Sequence, residues 1–209
     1  SFYLRTLYSH SYSSGRVDTV IGPDPDGAGT ALEKTKVVTT YDDAGRVTCT
    51  DTIAAGASDV LQARTVTAYS ASGVTSVKTY AVASGTAGNY LETRYFYDSL
   101  GRRCKVEQPS GAFTKTRYDG YGRVLGTYLC SHEGTPDSAE NVDGDTIIEQ
   151  TNSAYAYDRV VWTLRYERTE TSSKTGDLSS SWAVSDSRRT CVNRVWYDAL
   201  GRPTVNGDW

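Results

Sequence analysis

The hexapeptide Tyr41-Asp42-Asp43-Ala44-Gly45-Arg46 decides the fold of this chain, because its pattern, Tyr-Asp-x-x-Gly-Arg, occurs four times in 209 residues. A motif that recurs in this way indicates one small structural unit that is built repeatedly. We interpret the defining residues as structural repeat turns and not as an active site. They are Tyr41, Asp42, Gly45 and Arg46; Tyr97, Asp98, Gly101 and Arg102; Tyr118, Asp119, Gly122 and Arg123; and Tyr197, Asp198, Gly201 and Arg202.

The spacing of Asp and Gly in the pattern is that of a reversing turn, since a type I turn favours Asp at its first position and Gly at its fourth. Glycine there can adopt a positive φ and close a three-residue hairpin loop, while the Asp carboxylate accepts backbone N–H groups. The Arg is expected to start the returning strand and to pair with the Asp across the hairpin neck. The Tyr before the turn is expected to supply contact area.

Degenerate copies extend the series. Residues 69–74 keep the spacing but have Ser70 for Asp and Val74 for Arg, residues 12–16 are one residue shorter, and Tyr157-Asp158 opens a copy without glycine. The turn at the last of these must therefore differ. Six or seven hairpins are predicted in all.

The segments between the turns have the composition of strands. Thr, Val and Tyr are enriched before each turn, and residues 91–97 alternate between two faces with the period of a strand. No segment has a helical period. We predict an all-β array of antiparallel hairpins that forms a curved or spiral sheet, with residues 1–209 as a single domain and as a fragment of a longer chain. Trp162, Trp182 and Trp196 are expected to anchor its second half.

Charge and hydropathy exclude two classes of partner. The net charge is −3, whereas a nucleic-acid-binding surface would be strongly basic. No apolar run reaches the length of about 18 residues that a membrane span needs.

The cysteines and one acidic loop are the remaining candidates for chemistry. The wide spacing of Cys49, Cys104, Cys130 and Cys191 matches no zinc pattern, so free, half-buried thiols are favoured, with disulfides as the alternative. Residues 133–149 contain six acidic residues and no basic one, but they fail the calcium-loop template. We expect a solvated insertion in preference to a calcium site.

Catalytic motifs are missing from the sequence. The two histidines stand outside any known motif, and there is no nucleophile elbow, metallopeptidase pair, phosphate loop or dinucleotide fingerprint. We therefore predict no catalytic residue, no metal site, no cofactor and no enzymatic activity.

Because of its four Tyr-Asp-x-x-Gly-Arg hexapeptides, the chain resembles the YD-repeat family, also called the RHS-repeat family. The resemblance implies hairpins wound side by side into a hollow shell, as in bacterial toxin complexes, polymorphic toxins and the teneurin ectodomain. It implies a secreted or cell-surface protein whose partners are neighbouring repeats of the parent chain and an enclosed toxin or a surface partner. The alternative is a module that binds glycans or a partner protein through exposed Tyr and Trp side chains and the acidic loop.

Overall fold

A computed structural model describes residues 6–12, 15–24, 34–56, 58–134, 141–169, 175–179 and 188–208. The strands are β1 (Leu7–Ser11), β2 (Val17–Ile21), β3 (Lys34–Tyr41), β4 (Val47–Ala55), β5 (Val60–Ser70), β6 (Gly73–Ala83), β7 (Thr86–Tyr97), β8 (Arg103–Glu107), β9 (Phe113–Tyr118), β10 (Val124–His132), β11 (Thr146–Ala156), β12 (Arg159–Arg168), β13 (Arg188–Tyr197) and β14 (Pro203–Asp208). Within each hairpin the two strands are joined by a short turn, whereas β2 and β3, β10 and β11, and β12 and β13 are joined by longer connections.

The strands form one antiparallel sheet in which spatial order follows chain order from β1 to β14. The prediction of an all-β array of hairpins is confirmed. Nowhere in the described ranges does a helix occur that could cross a membrane. The chain divides into two compact units, Ser1–Arg94 and Tyr95–Trp209.

The four exact copies of the hexapeptide form turns of one geometry. In each copy the glycine N–H donates to the Asp carbonyl, and the Asp N–H donates to the Arg carbonyl. The glycine φ is 77°, 75°, 85° and 77° along the chain. This is a type I turn followed by a glycine bulge, which closes a three-residue loop with the twist that the paired strands need.

In two degenerate copies the hairpin loop is one residue shorter than in the exact copies. In the copy at 69–74, Ser70 pairs directly with Gly73, so the loop contains two residues. In the copy at Tyr157-Asp158, Ala156 pairs with Arg159 and Tyr157 has a φ of 55°. The turn at Tyr157 thus differs from the exact copies, as its lack of glycine predicted. In the copy at 12–16, residues 13 and 14 lie outside the described residues, and Gly15 has a φ of 102°.

A small hydrophobic core lies in the second unit only, as far as the described residues show. It is formed by Phe113, Tyr128, Cys130, Ile147, Tyr166 and Leu178, where Leu178 belongs to the short segment 175–179 that packs on the sheet. None of the described residues of the first unit is a buried hydrophobic one. The first unit therefore depends on contacts between half-buried side chains along the sheet.

The expected tryptophan anchors are wrong where they can be checked. Trp162 is 42% exposed and Trp196 is 37% exposed, and neither belongs to the hydrophobic core. Trp182 lies outside the described residues.

None of the four cysteines, all of which lie in the described ranges, forms a disulfide bond. Cys49 and Cys191 are half-buried as expected, whereas Cys104 and Cys130 are fully buried. Burial raises the pKa of Cys130 to about 12, so this thiol stays protonated and unreactive at neutral pH.

The glycine bulge predicts that replacing glycine by alanine destabilises the fold only where the glycine has a positive φ. Gly122 has a φ of +85° while its neighbour Gly120 has no positive φ, and a Cβ at either position would meet open space. Gly122→Ala should lower the free energy of unfolding by about 1–2 kcal/mol, because an L residue is strained in this conformation. Gly120→Ala serves as the matched control and should change it by less than about 0.5 kcal/mol. Equal effects in urea unfolding would contradict this account of the turn.

Candidate functional site: an arginine–tyrosine ladder

The Asp carboxylate organises each exact turn. Its Oδ1 accepts the backbone N–H groups of the residues two and four positions later, at 2.8–3.0 Å. Its Oδ2 accepts the Nε–H of the Arg that ends the motif, at 2.5–2.7 Å. The carboxylate thus fixes both the turn backbone and one edge of the guanidinium.

These contacts favour the ionised carboxylate. The backbone N–H of Arg46 lowers the pKa of Asp42 below its ordinary value, and that of Arg202 does the same for the pKa of Asp198. For Asp98, burial raises the pKa, but the N–H and guanidinium of Arg102 outweigh this effect and the pKa is lowered; Asp119 behaves in the same way. All four turns therefore keep a negative charge beside the arginine at neutral pH.

The guanidinium also contacts the next hairpin along the chain. The Arg46 guanidinium carbon lies 4.6 Å from the ring centroid of Tyr69, which lies near the end of β5 in the next hairpin. The same contact recurs at four other places. They are Arg16 on Tyr41 at 4.5 Å, Arg102 on Tyr118 at 4.7 Å, Arg123 on Tyr155 at 4.7 Å and Arg159 on Tyr197 at 5.4 Å. We call this series the arginine–tyrosine ladder, and each Arg–Tyr pair a rung.

Hydrogen bonds lock the rungs. The tyrosine hydroxyl donates back to the carbonyl of the residue that follows the arginine, in Tyr69 to Val47 (2.8 Å), Tyr118 to Arg103 (3.0 Å), Tyr155 to Val124 (3.0 Å) and Tyr197 to Val160 (2.9 Å). The arginine in turn donates to a carbonyl of the next turn, in Arg46 to Ser70 (3.1 Å), Arg102 to Asp119 (2.8 Å) and Arg123 to Tyr157. A single arginine therefore binds its own turn, a neighbouring ring and a neighbouring turn.

Sequence reasoning placed the Asp–Arg pair correctly in space but missed the ladder. The rung tyrosine of the sixth hairpin is Tyr155, not Tyr157, whose side chain is 96% exposed. Because that turn is two residues long, the tyrosine lies four residues before Arg159, whereas Tyr41 lies five residues before Arg46. A search that allowed the Tyr-to-Arg spacing to vary would have found Tyr155 and Arg159.

A second group of charged side chains lies in the second unit, around two lysines. Lys105 and Lys115 face each other across β8 and β9, and only 4% and 2% of the two residues are exposed. Lys105 Nζ donates to Glu133 Oε2 at 2.6 Å, and Lys115 Nζ donates to Asp145 Oδ2 at 2.7 Å. We call these four residues the buried charge cluster.

The expectation of a solvated acidic insertion is wrong at Glu133 and Asp145, whereas Asp143 is exposed as expected. Asp145 is fully buried, and Glu133 is half-buried with its carboxylate directed at both lysines. The loop contains no basic residue because its cations come from β8 and β9. In the part of the chain that the structure describes, no group of three acidic, His or Cys side chains is arranged to hold a metal ion.

Comparisons with known proteins identify the fold. The chain is similar to the crystal structure of TcdB2-TccC3-Cdc42, with a TM-score of 0.51 and 16% identity, and to that of TcdB2-TccC3-TEV, with a TM-score of 0.51 and 17% identity. The structure of TcdB2-TccC3 without its hypervariable C-terminal region matches with a TM-score of 0.51 and 16% identity. Each match covers 94% of this chain and 9% of the other.

The fold thus resembles a segment of the YD-repeat shell of a Tc toxin. This confirms, at the level of fold, the resemblance drawn from the hexapeptides. No family model matches the chain, and no curated protein matches its sequence. The chain spans about a tenth of the length of the chains it resembles.

The ladder predicts which tyrosine of the sixth hairpin contributes to the stability of the fold. Tyr155→Phe removes the hydroxyl that donates to Val124 and should lower the free energy of unfolding by about 1 kcal/mol. Tyr157→Phe removes a hydroxyl that is almost fully exposed and should leave it unchanged. Denaturant unfolding of both variants decides the assignment, and a larger loss at Tyr157 would reverse it.

Proposed function

We propose that this chain is a structural, non-enzymatic segment of a secreted or surface bacterial protein, in which it forms part of the wall of a β-shell that encloses or displays cargo. Residues 1–209 serve as one repeat array, and the turn residues of the four exact copies shape the wall. The observation that supports this best is the ladder, because its contacts repeat from one hairpin to the next and concentrate no reactive groups at one place.

The ladder suits a wall for an energetic reason. A repeat array is stabilised by intrinsic repeat stability and by nearest-neighbour contacts, so it can be extended without a central core. In the first unit the rungs Arg16–Tyr41 and Arg46–Tyr69 join hairpins, although no described residue of that unit is a buried hydrophobic one. Such a sheet can be extended by adding hairpins to it.

At each outer strand of the sheet, one residue of an Arg–Tyr pair is present without its partner from a neighbouring repeat. Within the described residues, the contacts of Arg202 are all with Asp198, and 72% of its side chain is exposed. On the opposite outer strand, Tyr12 is 72% exposed and all five residues of β1 are exposed. A hairpin that follows β14 would place a tyrosine on Arg202, and a hairpin that precedes β1 would place an arginine on Tyr12. In each case the strand of the added hairpin would pair with the open edge of the sheet.

Head-to-tail self-association tests this proposal, since the two edges of the chain complement each other. Sedimentation velocity over about a hundredfold range of concentration should show progressive growth of oligomers by the wild-type chain. Tyr12→Ala and Arg202→Ala should each weaken this growth. Mixing the two variants should favour dimers over larger oligomers, because each variant keeps one intact edge of the opposite kind.

Tyr157→Ala is the matched control, because this tyrosine is also exposed but lies inside the array. It should associate like the wild type. A wild-type chain that stays monomeric at every concentration, or a Tyr12→Ala chain that associates as strongly as the wild type, would contradict the proposed role of the edges.

The alternative function, a module that binds glycans or a partner, has weaker support. The exposed Trp162 and Trp196 favour it. The acidic loop does not, because Glu133 and Asp145 are already engaged by lysines. We therefore place it second.

A further inference from the structure

The buried charge cluster brings together an amine, a carboxyl group and a second carboxylate in an arrangement suited to amide formation. Lys115 Nζ lies 2.7 Å from Asp145 Oδ2, and the exposed fractions of the two side chains are 2% and 0%. The two residues come from different elements, since Lys115 lies in β9 and Asp145 immediately precedes β11. Glu133 Oε1 lies 3.4 Å from the same Lys115 nitrogen.

Apolar side chains border this pair. Phe113 places its ring centroid 5.3 Å from Lys115 Nζ, and Phe113, Cys130 and Ile147 belong to the adjacent hydrophobic core. An ion pair removed from water loses a large hydration energy, which its mutual attraction often fails to restore. A neutral amine and a neutral carboxylic acid differ from this ion pair by the position of one proton. Those are the two reactants of an amide bond.

Glu133 is placed to carry the proton of the reaction. Its Oε2 is held by Lys105 at 2.6 Å, whereas its Oε1 is a buried atom without a hydrogen-bond partner. A buried oxygen without a hydrogen bond destabilises the fold, and such atoms in native proteins often have a catalytic role. It can accept a proton from the Lys115 nitrogen as that nitrogen forms a new bond, and it can later return the proton to a leaving hydroxyl group.

Backbone groups complete the arrangement. The Gly134 N–H donates to Asp145 Oδ1 at 3.2 Å, where a negative charge would develop as the carboxyl carbon is attacked. The Asn141 carbonyl accepts a hydrogen bond from Lys115 Nζ at 2.6 Å and so orients the amine. Holding the amine and the acid in contact replaces a bimolecular encounter by an intramolecular step.

We propose that Lys115 and Asp145 are joined by an intramolecular isopeptide bond, and that Glu133 catalyses its formation. The Lys115 Nζ–Asp145 Cγ bond forms and the Cγ–Oδ2 bond breaks. The proton released by Nζ passes to Glu133 Oε1 and then to the departing hydroxyl group, which leaves as water. Nothing is oxidised or reduced, and no cofactor takes part.

The bond would fasten the acidic insertion to the sheet. It would close a covalent loop between β9 and the start of β11 in the second unit, and a cross-link of this kind limits the freedom of the unfolded chain as a disulfide does. Unlike a disulfide, it does not depend on the redox conditions outside the cell. The bond is independent of the edge pairing proposed above, so either proposal can fail without the other.

Intact-mass spectrometry of the purified 209-residue chain tests the bond directly. The wild type should be lighter than its sequence mass by one water molecule. A tryptic digest should contain one branched species, in which Val106–Arg117 is joined to Val124–Arg159, because an acylated Lys115 is not cleaved. A wild-type chain at its full sequence mass, with the two peptides separate and cleavage after Lys115, would overturn the proposal.

The same digest contains an internal control. Lys36 and Asp59 approach to 2.5 Å, but 24% and 46% of their side chains are exposed. Peptides that carry this pair should remain separate. If they were also joined, the cross-link would reflect proximity or sample handling and not the buried site.

Two variants test the role of Glu133. Glu133→Gln keeps both reacting groups, so the chain should retain its full sequence mass with a circular dichroism spectrum like that of the wild type. Glu107→Gln is the matched control: its carboxylate lies 3.8 Å from Lys105, and the variant should form the bond. A Glu133→Gln chain that still loses water would refute the assignment of Glu133.

Discussion

The arginine guanidinium at the end of each exact hexapeptide is the group on which the sheet depends. In the copies that end at Arg46, Arg102 and Arg123, one edge of the guanidinium is held by the carboxylate of its own turn, one face covers the tyrosine of the next hairpin, and one amino group reaches the next turn. Because the first unit has no buried hydrophobic residue among those described, apolar burial alone leaves its hairpins weakly connected. The ladder supplies directional contacts between hairpins.

The second unit adds a different kind of stability. Its core lies between the sheet and two inserted segments, and lysines from β8 and β9 neutralise the carboxylates that the first insertion brings. A buried charge without a partner would be strongly destabilising, so the cluster also specifies where the insertion must lie. The isopeptide bond would make that placement permanent. The two units thus differ in how the same hairpin sheet is stabilised.

Local chemistry made much of the fold predictable. Asp and Gly at fixed spacing determine the turn through contacts within six residues, so the four exact turns and their strands could be identified from the hexapeptide. The rungs could not, because Arg46 meets Tyr69 only after the register between neighbouring hairpins is set. Tyr155 was missed because the letters Tyr-Asp recur at residue 157, in a turn one residue shorter. The acidic loop looked solvated because its lysine partners lie 28 and 30 residues earlier in the chain.

A double-mutant cycle on one rung tests the ladder most directly. Arg102 and Tyr118 are suited to it because their contact of 4.7 Å joins two hairpins of the second unit. Arg102→Ala, Tyr118→Ala and the double variant should reveal a favourable coupling of about 0.5–1 kcal/mol in the free energy of unfolding. Effects that add to within about 0.3 kcal/mol would show that the rung contributes nothing, and would contradict the account of a sheet held together by its arginines.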